Sequence, residues 1–251
     1  MSDASDAIER AAELYDRADE VLVFAGSGLS EESGVPTYRG EDGLFSDPDT
    51  QDLARAGILD RDPERALSFY QEGRETIRGL DPNPGHRALA RLSRRARVTV
   101  ATQNVDGLLE RACADEGVEL PVHHLHGSLF EVVCRNCGAS PADPETIDLS
   151  ELPDCDRCGE LLRPDVVLFG ELLPQDAFDR SVAAAETADL CLLLGTSGIV
   201  HPAAGIPREA KAAGAELIEV NPNATELSEL CDLVIRETTG EALPAIEERV
   251  G

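Results

Sequence analysis

Lysine is nearly absent from this chain. Lys211 is the only one among 22 basic residues, the rest being arginine, and 49 Asp and Glu leave a formal net charge of −27. Sequence-independent binding to phosphate backbones needs clustered cations, so no specific nucleic-acid partner is expected. Such a charge repels itself in ordinary salt. Molar salt shortens the Debye length to about 3 Å and screens the repulsion. Scarce lysine beside abundant Asp and Glu therefore suggests a salt-loaded cytoplasm, as in the haloarchaea.

Long hydrophobic runs are missing too. A bilayer-spanning helix needs roughly 20 apolar residues, and the run Leu190 to Leu194 is far shorter. No membrane partner is expected. The N-terminal stretch MSDASDAIERAAELYDRADE is acidic, without a basic segment followed by an apolar one. It is not a secretory signal, and the chain is expected in the cytoplasm. The 251 residues, 42% of them hydrophobic, suffice for one large domain, alone or with a small one.

An odd cysteine count, seven, in a chain expected to be cytoplasmic argues against a disulfide framework. Cys113, Cys191 and Cys231 stand singly in apolar or helical contexts and read as small buried hydrophobes. The other four make Cys134-Arg-Asn-Cys137, seventeen residues, then Cys155-Asp-Arg-Cys158. Two such knuckles suit tetrahedral thiolate ligation of one zinc ion, and four thiolates leave no position for water. The zinc is therefore structural. Gly138 and Gly159 follow the knuckles directly, as tight turns around a metal prefer. Metal removal is expected to unfold or inactivate the protein.

Apolar residues at helical spacing between Ile8 and Ala18 predict an N-terminal amphipathic helix. VLVFAG at 21–26 and VTVAT at 98–102 read as buried strands of a parallel sheet. So do DLCLLLG at 189–195, AELIEV at 215–220 and DLVIRE at 232–237. Helices are predicted at 84–95, 175–188, 202–213 and 223–230, and residues 50–80 read as short helices broken at Gly57, Pro63, Gly73 and Gly79. Strands alternating with helices predict an α/β chain with a Rossmann-like, doubly wound parallel sheet. The polar segment 131–162 interrupts the rhythm and reads as an inserted zinc-ribbon module. The expected division is 1–35, 81–130 and 163–251 for the nucleotide-binding sheet, 36–80 for a helical insertion and 131–162 for the zinc module.

Three further segments carry candidate chemistry. Gly26-Ser27-Gly28-Leu29-Ser30 follows the first strand, where glycines let backbone approach a phosphate at a helix N-terminus. The full dinucleotide fingerprint is not met, because Glu31 stands at the third glycine position. An ordinary dehydrogenase is thereby disfavoured, and a plain small-residue turn would look the same. Thr102-Gln103-Asn104-Val105-Asp106-Gly107 follows the second strand, at the end where such sheets bind ligands. Asn, Asp and Gly are also common in caps and turns. In Val122-His123-His124-Leu125-His126-Gly127-Ser128, alternation puts His124 and His126 on one strand face. No acidic or Cys partner sits at metal spacing, so a single general base suits these histidines better than a second metal. Each, taken alone, reads as structural sooner than as catalytic.

Together these segments resemble the sirtuin family. AGSGLSEESGVPTYRG at 25–40, TQNVDGLL at 102–109, LHGSL at 125–129, the two cysteine pairs, RPDVVLFGE at 163–171, GTSGIVHPAAGIP at 195–207 and EVNP at 219–222 match in chain order over nearly the whole sequence. The resemblance implies an NAD-dependent protein-lysine deacylase acting on acyl-lysine proteins in extended conformation. Nicotinamide would leave as the acyl oxygen attacks the ribose carbon, giving free lysine and O-acyl-ADP-ribose. It further implies that Gly26, Ser27, Gly28, Ser30, Pro36, Tyr38, Arg39, Gln103, Asn104, Asp106, Gly195, Thr196, Ser197 and Asn221 bind NAD. His126 would be the general base, with Asn104 and Asp106 catalytic beside it. Backbone around Val166, Val167 and Phe169 would pair with the substrate peptide, an added β-strand.

The sequence departs from the family pattern at Ser27 for Ala, Tyr38 for Phe and Phe45 for Trp. Desuccinylating sirtuins carry Tyr-x-x-Arg in the helical module. Here Tyr70 aligns, Gly73 takes the arginine position and Arg74 comes one residue late. One residue turns a helical side chain by about 100°, so Arg74 could reach back only if Gly73 bent the helix. Deacetylation is expected first and acidic acyl groups second. The alternatives are mono-ADP-ribosylation at the same site, or a non-enzymatic zinc-ribbon interaction module.

Overall fold

The structure is a computed structural model describing residues 2–38 and 43–251, without the side chains of Ser2, Asp3 and Phe45. Its strands are β1 (Glu20–Ala25), β2 (Arg97–Thr102), β3 (Val122–His124), β4 (Gly127–Cys134), β5 (Leu162–Val166), β6 (Leu190–Leu194), β7 (Glu216–Val220) and β8 (Leu233–Ile235). The helices are α1 (Ser2–Arg17), α2 (Pro48–Leu53), α3 (Ile58–Arg61), α4 (Pro63–Arg78), α5 (Pro84–Leu92), α6 (Leu108–Glu116), α7 (Gln175–Thr187), α8 (Ile206–Ala213) and α9 (Thr239–Glu247). No helix among the described residues is long and apolar enough to cross a membrane.

Six strands form one parallel sheet in the order β3-β2-β1-β6-β7-β8, the doubly wound arrangement expected. Alternation along β1 divides its side chains between two cores. Val21, Val23 and Ala25 pack with α1, α5 and α9 through Leu14, Leu89 and Leu243. Leu22 and Phe24 pack with α7 and α8 through Ala185, Ile206 and Ala210. The strand order reverses between β1 and β6. In open α/β sheets, ligands bind in the crevice at such a switch point, outside the strands' carboxyl ends.

A third apolar cluster lies outside the sheet. Leu67, Tyr70 and Ile77 of α4 share it with Val132, Leu149 and Leu162, and with Cys134 and Cys155. β4 and β5 form an antiparallel pair that leads from the sheet into this cluster.

Several local expectations are corrected. α4 runs unbroken through Gly73, where a Cβ would meet only the tip of Leu129 at 3.7 Å. Packing on both sides outweighs the helix cost of glycine, about 1 kcal/mol. The loop after β1 makes two short 3-10 turns, Ser27–Leu29 and Glu31–Ser33, so no α-helix N-terminus stands behind it. The helix at 84–95 ends at Leu92. The helix expected at 223–230 shrinks to a 3-10 turn at Ser228–Leu230. There the hydroxyls of Thr225 and Ser228 donate to the buried carboxylate of Glu219. Side chains that bond locally in this way compete with helix formation. Finally, His124 ends β3 and His126 lies beyond it, so the two do not share a strand face.

Candidate functional site

The carboxyl ends of β1, β2, β6 and β7 meet at the switch point. Gly26 N–H donates to Leu194 O and Gly28 N–H to Gly195 O, both at 2.9 Å. A Cβ on Gly195 would lie 2.4 Å from Gly28 backbone, and Gly195 has φ +56°, so only glycine permits this approach. Gln103 Nε2 donates to Thr196 Oγ1 at 2.8 Å, and Asn221 Nδ2 donates to Thr196 O at 3.1 Å. One chain of side chains thus joins the ends of β2, β6 and β7. Ser27 and Ser197 are half-buried beside it, and Pro36 is exposed. Arg39 lies outside the described residues, as does the Phe45 side chain.

Beneath this rim is a buried polar group: Ser30, His86, Asn104 and Asp106. Asn83 N–H donates to His86 Nδ1 at 3.3 Å, within the capping box that starts α5. The His86 proton therefore sits on Nε2, which lies 3.2 Å from Ser30 Oγ. Asn104 Nδ2 also donates to Ser30 Oγ at 3.2 Å, and to Gly26 O at 3.1 Å. With two donors on its oxygen, Ser30 turns its hydroxyl hydrogen to Asp106. Burial keeps His86 neutral, pulling it down to about 4. Burial also pushes the Asp106 carboxyl up, against the N–H of Leu108 and the Ser30 hydroxyl. Asn104 Oδ1 is buried and has no partner. A buried acceptor is ordinarily satisfied, so this orphan fits a ligand that brings a donor into the crevice.

His126 lies at the edge of the same crevice, half-buried. Its Nδ1 is 3.1 Å from Gln103 O. A carbonyl only accepts, so the proton is on Nδ1 and Nε2 carries the lone pair. Burial lowers the imidazole below its usual range, outweighing that hydrogen bond. His126 is thus neutral at pH 7 with its basic nitrogen defined. Farther back, His124 Nε2 pairs with Glu110 at 2.8 Å. The bond to Glu110 raises His124, and burial opposes it.

Tyr38 stands close enough to Asp106 for that charge to add to burial in raising its phenol. Tyr70 is buried, donates to Leu53 O at 3.4 Å and feels the charges of Tyr38, Arg163 and Glu171. Arg163 clasps Glu171 through two oxygens, at 2.6 and 3.2 Å, and also donates to Val166 O. Glu171 in turn accepts from Leu168 N–H. Val167 N–H is taken by His126 O at 3.0 Å, and Phe169 exchanges backbone bonds with Ala54 and Ala56. That edge of the 166–169 segment is occupied within the chain, which narrows where a peptide could pair. Phe169 is 44% exposed.

The four cysteine sulfurs lie within 4.8 Å of one another, with separations of 3.4, 3.5 and 3.8 Å among them. Tetrahedral zinc with 2.3 Å bonds would set sulfurs about 3.8 Å apart. Gly138 and Gly159 adopt positive φ, 66° and 73°, and their N–H groups bond back to Cys134 and Cys155. Donor set and spacing fit one structural zinc.

The Sir2 family profile matches residues 26–202, most of the chain. The chain belongs to the Sir2 family. An NAD-dependent protein deacylase of Mycobacterium tuberculosis is 45% identical over 236 residues, covering 92% of this chain and 97% of that protein. A solved Sir2 homologue in complex with NAD superposes with a TM-score of 0.87 at 38% identity, covering 96% of this chain and 93% of the other. Another, Sir2Af2 bound to a myristoylated histone peptide, gives 0.77 at 34% identity, covering 98% and 96%.

Within this Sir2-family chain, sequence reasoning missed His86. Asn83-Pro84 marks a helix start, but nothing marks a histidine three residues on as the partner of Ser30, 56 positions away. The pair of buried Glu219 with exposed Arg236, at 2.8 Å, was missed too. Arg236 also holds Asn221 O and Asn223 O, and so shapes the loop that carries Asn221.

Proposed function

We propose that the chain is an NAD-dependent protein-lysine deacylase that removes acetyl groups first and acidic acyl groups second. The observation that carries the reading is His126, its Nδ1 committed to Gln103 O and its Nε2 basic at the rim of the switch-point crevice. The NAD-binding part is taken as 1–35, 81–130 and 163–251, with 36–80 as the helical module and 131–162 as the zinc module. When bound, NAD supplies a ribose carbon that gives up nicotinamide and receives the acyl oxygen.

The remaining chemistry belongs to this chain's residues. Backbone at Gly26, Ser27, Gly28 and Ser30, with Gly195, Thr196 and Ser197, lies at the switch point where a pyrophosphate would sit. Asn104 Oδ1 offers its free acceptor inside, and Gln103 and Asp106 line the same pocket. His126 Nε2 takes the proton from a ribose hydroxyl. Pro36 and Tyr38 would close the nicotinamide end, and Asn221 would take the adenosine ribose. Burial keeps water from the reacting carbon.

Two findings favour neutral acyl groups near Tyr70. Both terminal nitrogens of Arg74 are committed to Pro144 O and Ile147 O, and the Nε that has no partner is buried away from solvent. Arg163 is neutralised by Glu171. An acyl carboxylate would find no uncommitted cation in either. The acidic, lysine-poor surface supports a salt-rich cytoplasm and leaves nucleic acid outside the substrate class.

Mass spectrometry of NAD reactions against a panel of acyl-lysine peptides, at low and at molar salt, tests the reading. Nicotinamide, free lysine and O-acyl-ADP-ribose are expected, acetyl peptides leading. ADP-ribose attached to protein without loss of the acyl group would replace the reading by mono-ADP-ribosylation. Intact NAD under every condition would leave the interaction module.

A further inference from the structure

α4 touches both the acyl end of the site and the cysteine centre. Tyr70 and Arg74 are four residues apart and so lie on one side of the helix. Tyr70 is buried against Leu53 O and within reach of the charges of Tyr38, Arg163 and Glu171. Arg74 is fully buried and reaches into the segment between the two cysteine knuckles. Its Nη1 donates to Ile147 O at 2.9 Å and its Nη2 to Pro144 O at 2.8 Å.

The neighbouring turns hold the same segment. Arg78 Nη2 donates to Glu145 O at 2.6 Å, and Gln71 Oε1 accepts from Leu149 N–H at 3.2 Å. Leu149 is fully buried in the cluster that contains Leu67, Tyr70, Cys134 and Cys155. Burial and the like charge of Arg78 work against the guanidinium's charge, and Glu145 and Asp148 oppose them. The segment's own structure is two 3-10 turns, at Pro144–Thr146 and Leu149–Glu151, with short local side-chain bonds at Thr146 and Ser150 and a backbone bond from Leu162 to Pro153. Its middle is tethered to the rest of the fold through α4, and its ends by the knuckles.

We propose that Arg74 is a positioning residue that couples the four-cysteine centre to the acyl-lysine end of the site through α4. The proposal rests on the deacylase reading. A metal-ordered segment presents the carbonyls of Pro144 and Ile147 to Arg74, which sets the depth and rotation of α4, and with it Tyr70. Coupling of this kind is reciprocal: whatever the metal does for peptide binding, peptide does for metal retention.

The test uses the zinc-loaded full chain and reads zinc release to a chromogenic chelator, with and without saturating acetyl-lysine peptide. In the wild type, peptide is expected to slow release several-fold. Arg74→Met is expected to release zinc at one rate whether peptide is present or not. Its KM for peptide should rise about five- to tenfold, with the KM for NAD unchanged. Arg74→Lys, which keeps charge but loses the fork that spans two carbonyls, should fall between. If Arg74→Met does not fold, Gln71→Ala removes one of the same tethers from the same face and should give the smaller shift in the same direction. Peptide-independent release in the wild type, or equal rises of both KM values in the variant, would overturn the coupling. An inactive wild type that consumes no NAD would instead overturn the deacylase reading, so the two failures are distinct.

Discussion

His126 Nδ1 lies 3.1 Å from the backbone oxygen of Gln103. That contact ties the imidazole to the segment carrying Asn104 and Asp106, and it decides which nitrogen is basic. Removing the base while keeping the backbone should abolish turnover and leave the fold. His126→Ala is expected to lose at least about 100-fold in kcat, the usual worth of general base catalysis. Its circular dichroism and zinc content should match the wild type.

The pH profile follows from the same residue. His126 is held below its ordinary 6.5 by burial. Its neutral, active form therefore persists below pH 6.5 and is lost only as pH falls through the lowered value. The acidic limb of kcat/KM should lie below 6.5. A limb above 6.5 would assign the base to another group.

Buried His86 predicts an acid weakness in stability. It is neutral in the fold with a value of about 4, while the unfolded chain titrates near 6.5. Between those values the unfolded state binds the extra proton, so this contribution is full above pH 6.5 and falls away as pH drops toward 4. The window of about 2.5 units corresponds to roughly 3 kcal/mol. His86→Gln should flatten denaturant-measured stability against pH in that window relative to wild type. It should also impair NAD binding, because Ser30 and Asn104 lose their anchor.

These residues show what was legible in the sequence. The strands announced themselves because β1 and β6 are buried on both faces and read as unbroken apolar runs. The zinc site was legible because its ligands come in two local pairs. His126 was found through its neighbours in LHGSL, which carry the family resemblance. His86 and Arg74 were not legible, since each acts on a partner 56 or more positions away. The helix expected at 223–230 failed for a similar reason. Its apolar spacing is adequate, but its hydroxyls serve Glu219, whose burial only the folded sheet reveals.

Gly73 offers a test of acyl choice. α4 is continuous there, and a Cβ would make only ordinary contact with Leu129 at 3.7 Å. Gly73→Arg should therefore be tolerated and place a free cation one turn from Tyr70. A charge-assisted hydrogen bond is worth about 1.5–3 kcal/mol, so succinyl-lysine kcat/KM should rise roughly 10- to 100-fold relative to acetyl-lysine. Competition between the two peptides, read by mass spectrometry, measures the ratio directly. No change would mean that the acyl group does not run past this face of α4.

The charge of −27 makes a separate prediction about salt. Ion pairs such as Arg10–Glu13 and Arg180–Asp176 are exposed and local, and contribute little each. Salt weakens them slightly. It screens the net repulsion among 49 acidic groups far more, because that repulsion is summed over the whole surface. The two effects oppose each other, and the larger should win. Thermal midpoint should climb between 0.1 M and 3 M potassium chloride, by roughly 2–4 °C for each kcal/mol relieved in a chain of this size. Sodium perchlorate separates screening from surface exclusion: it supplies the same ionic strength without being excluded from apolar surface as sulfate is. A rise in chloride and perchlorate alike would mark charge repulsion as the cause. A falling midpoint in both would make the protein an ordinary acidic one, unsuited to a salt-loaded cell.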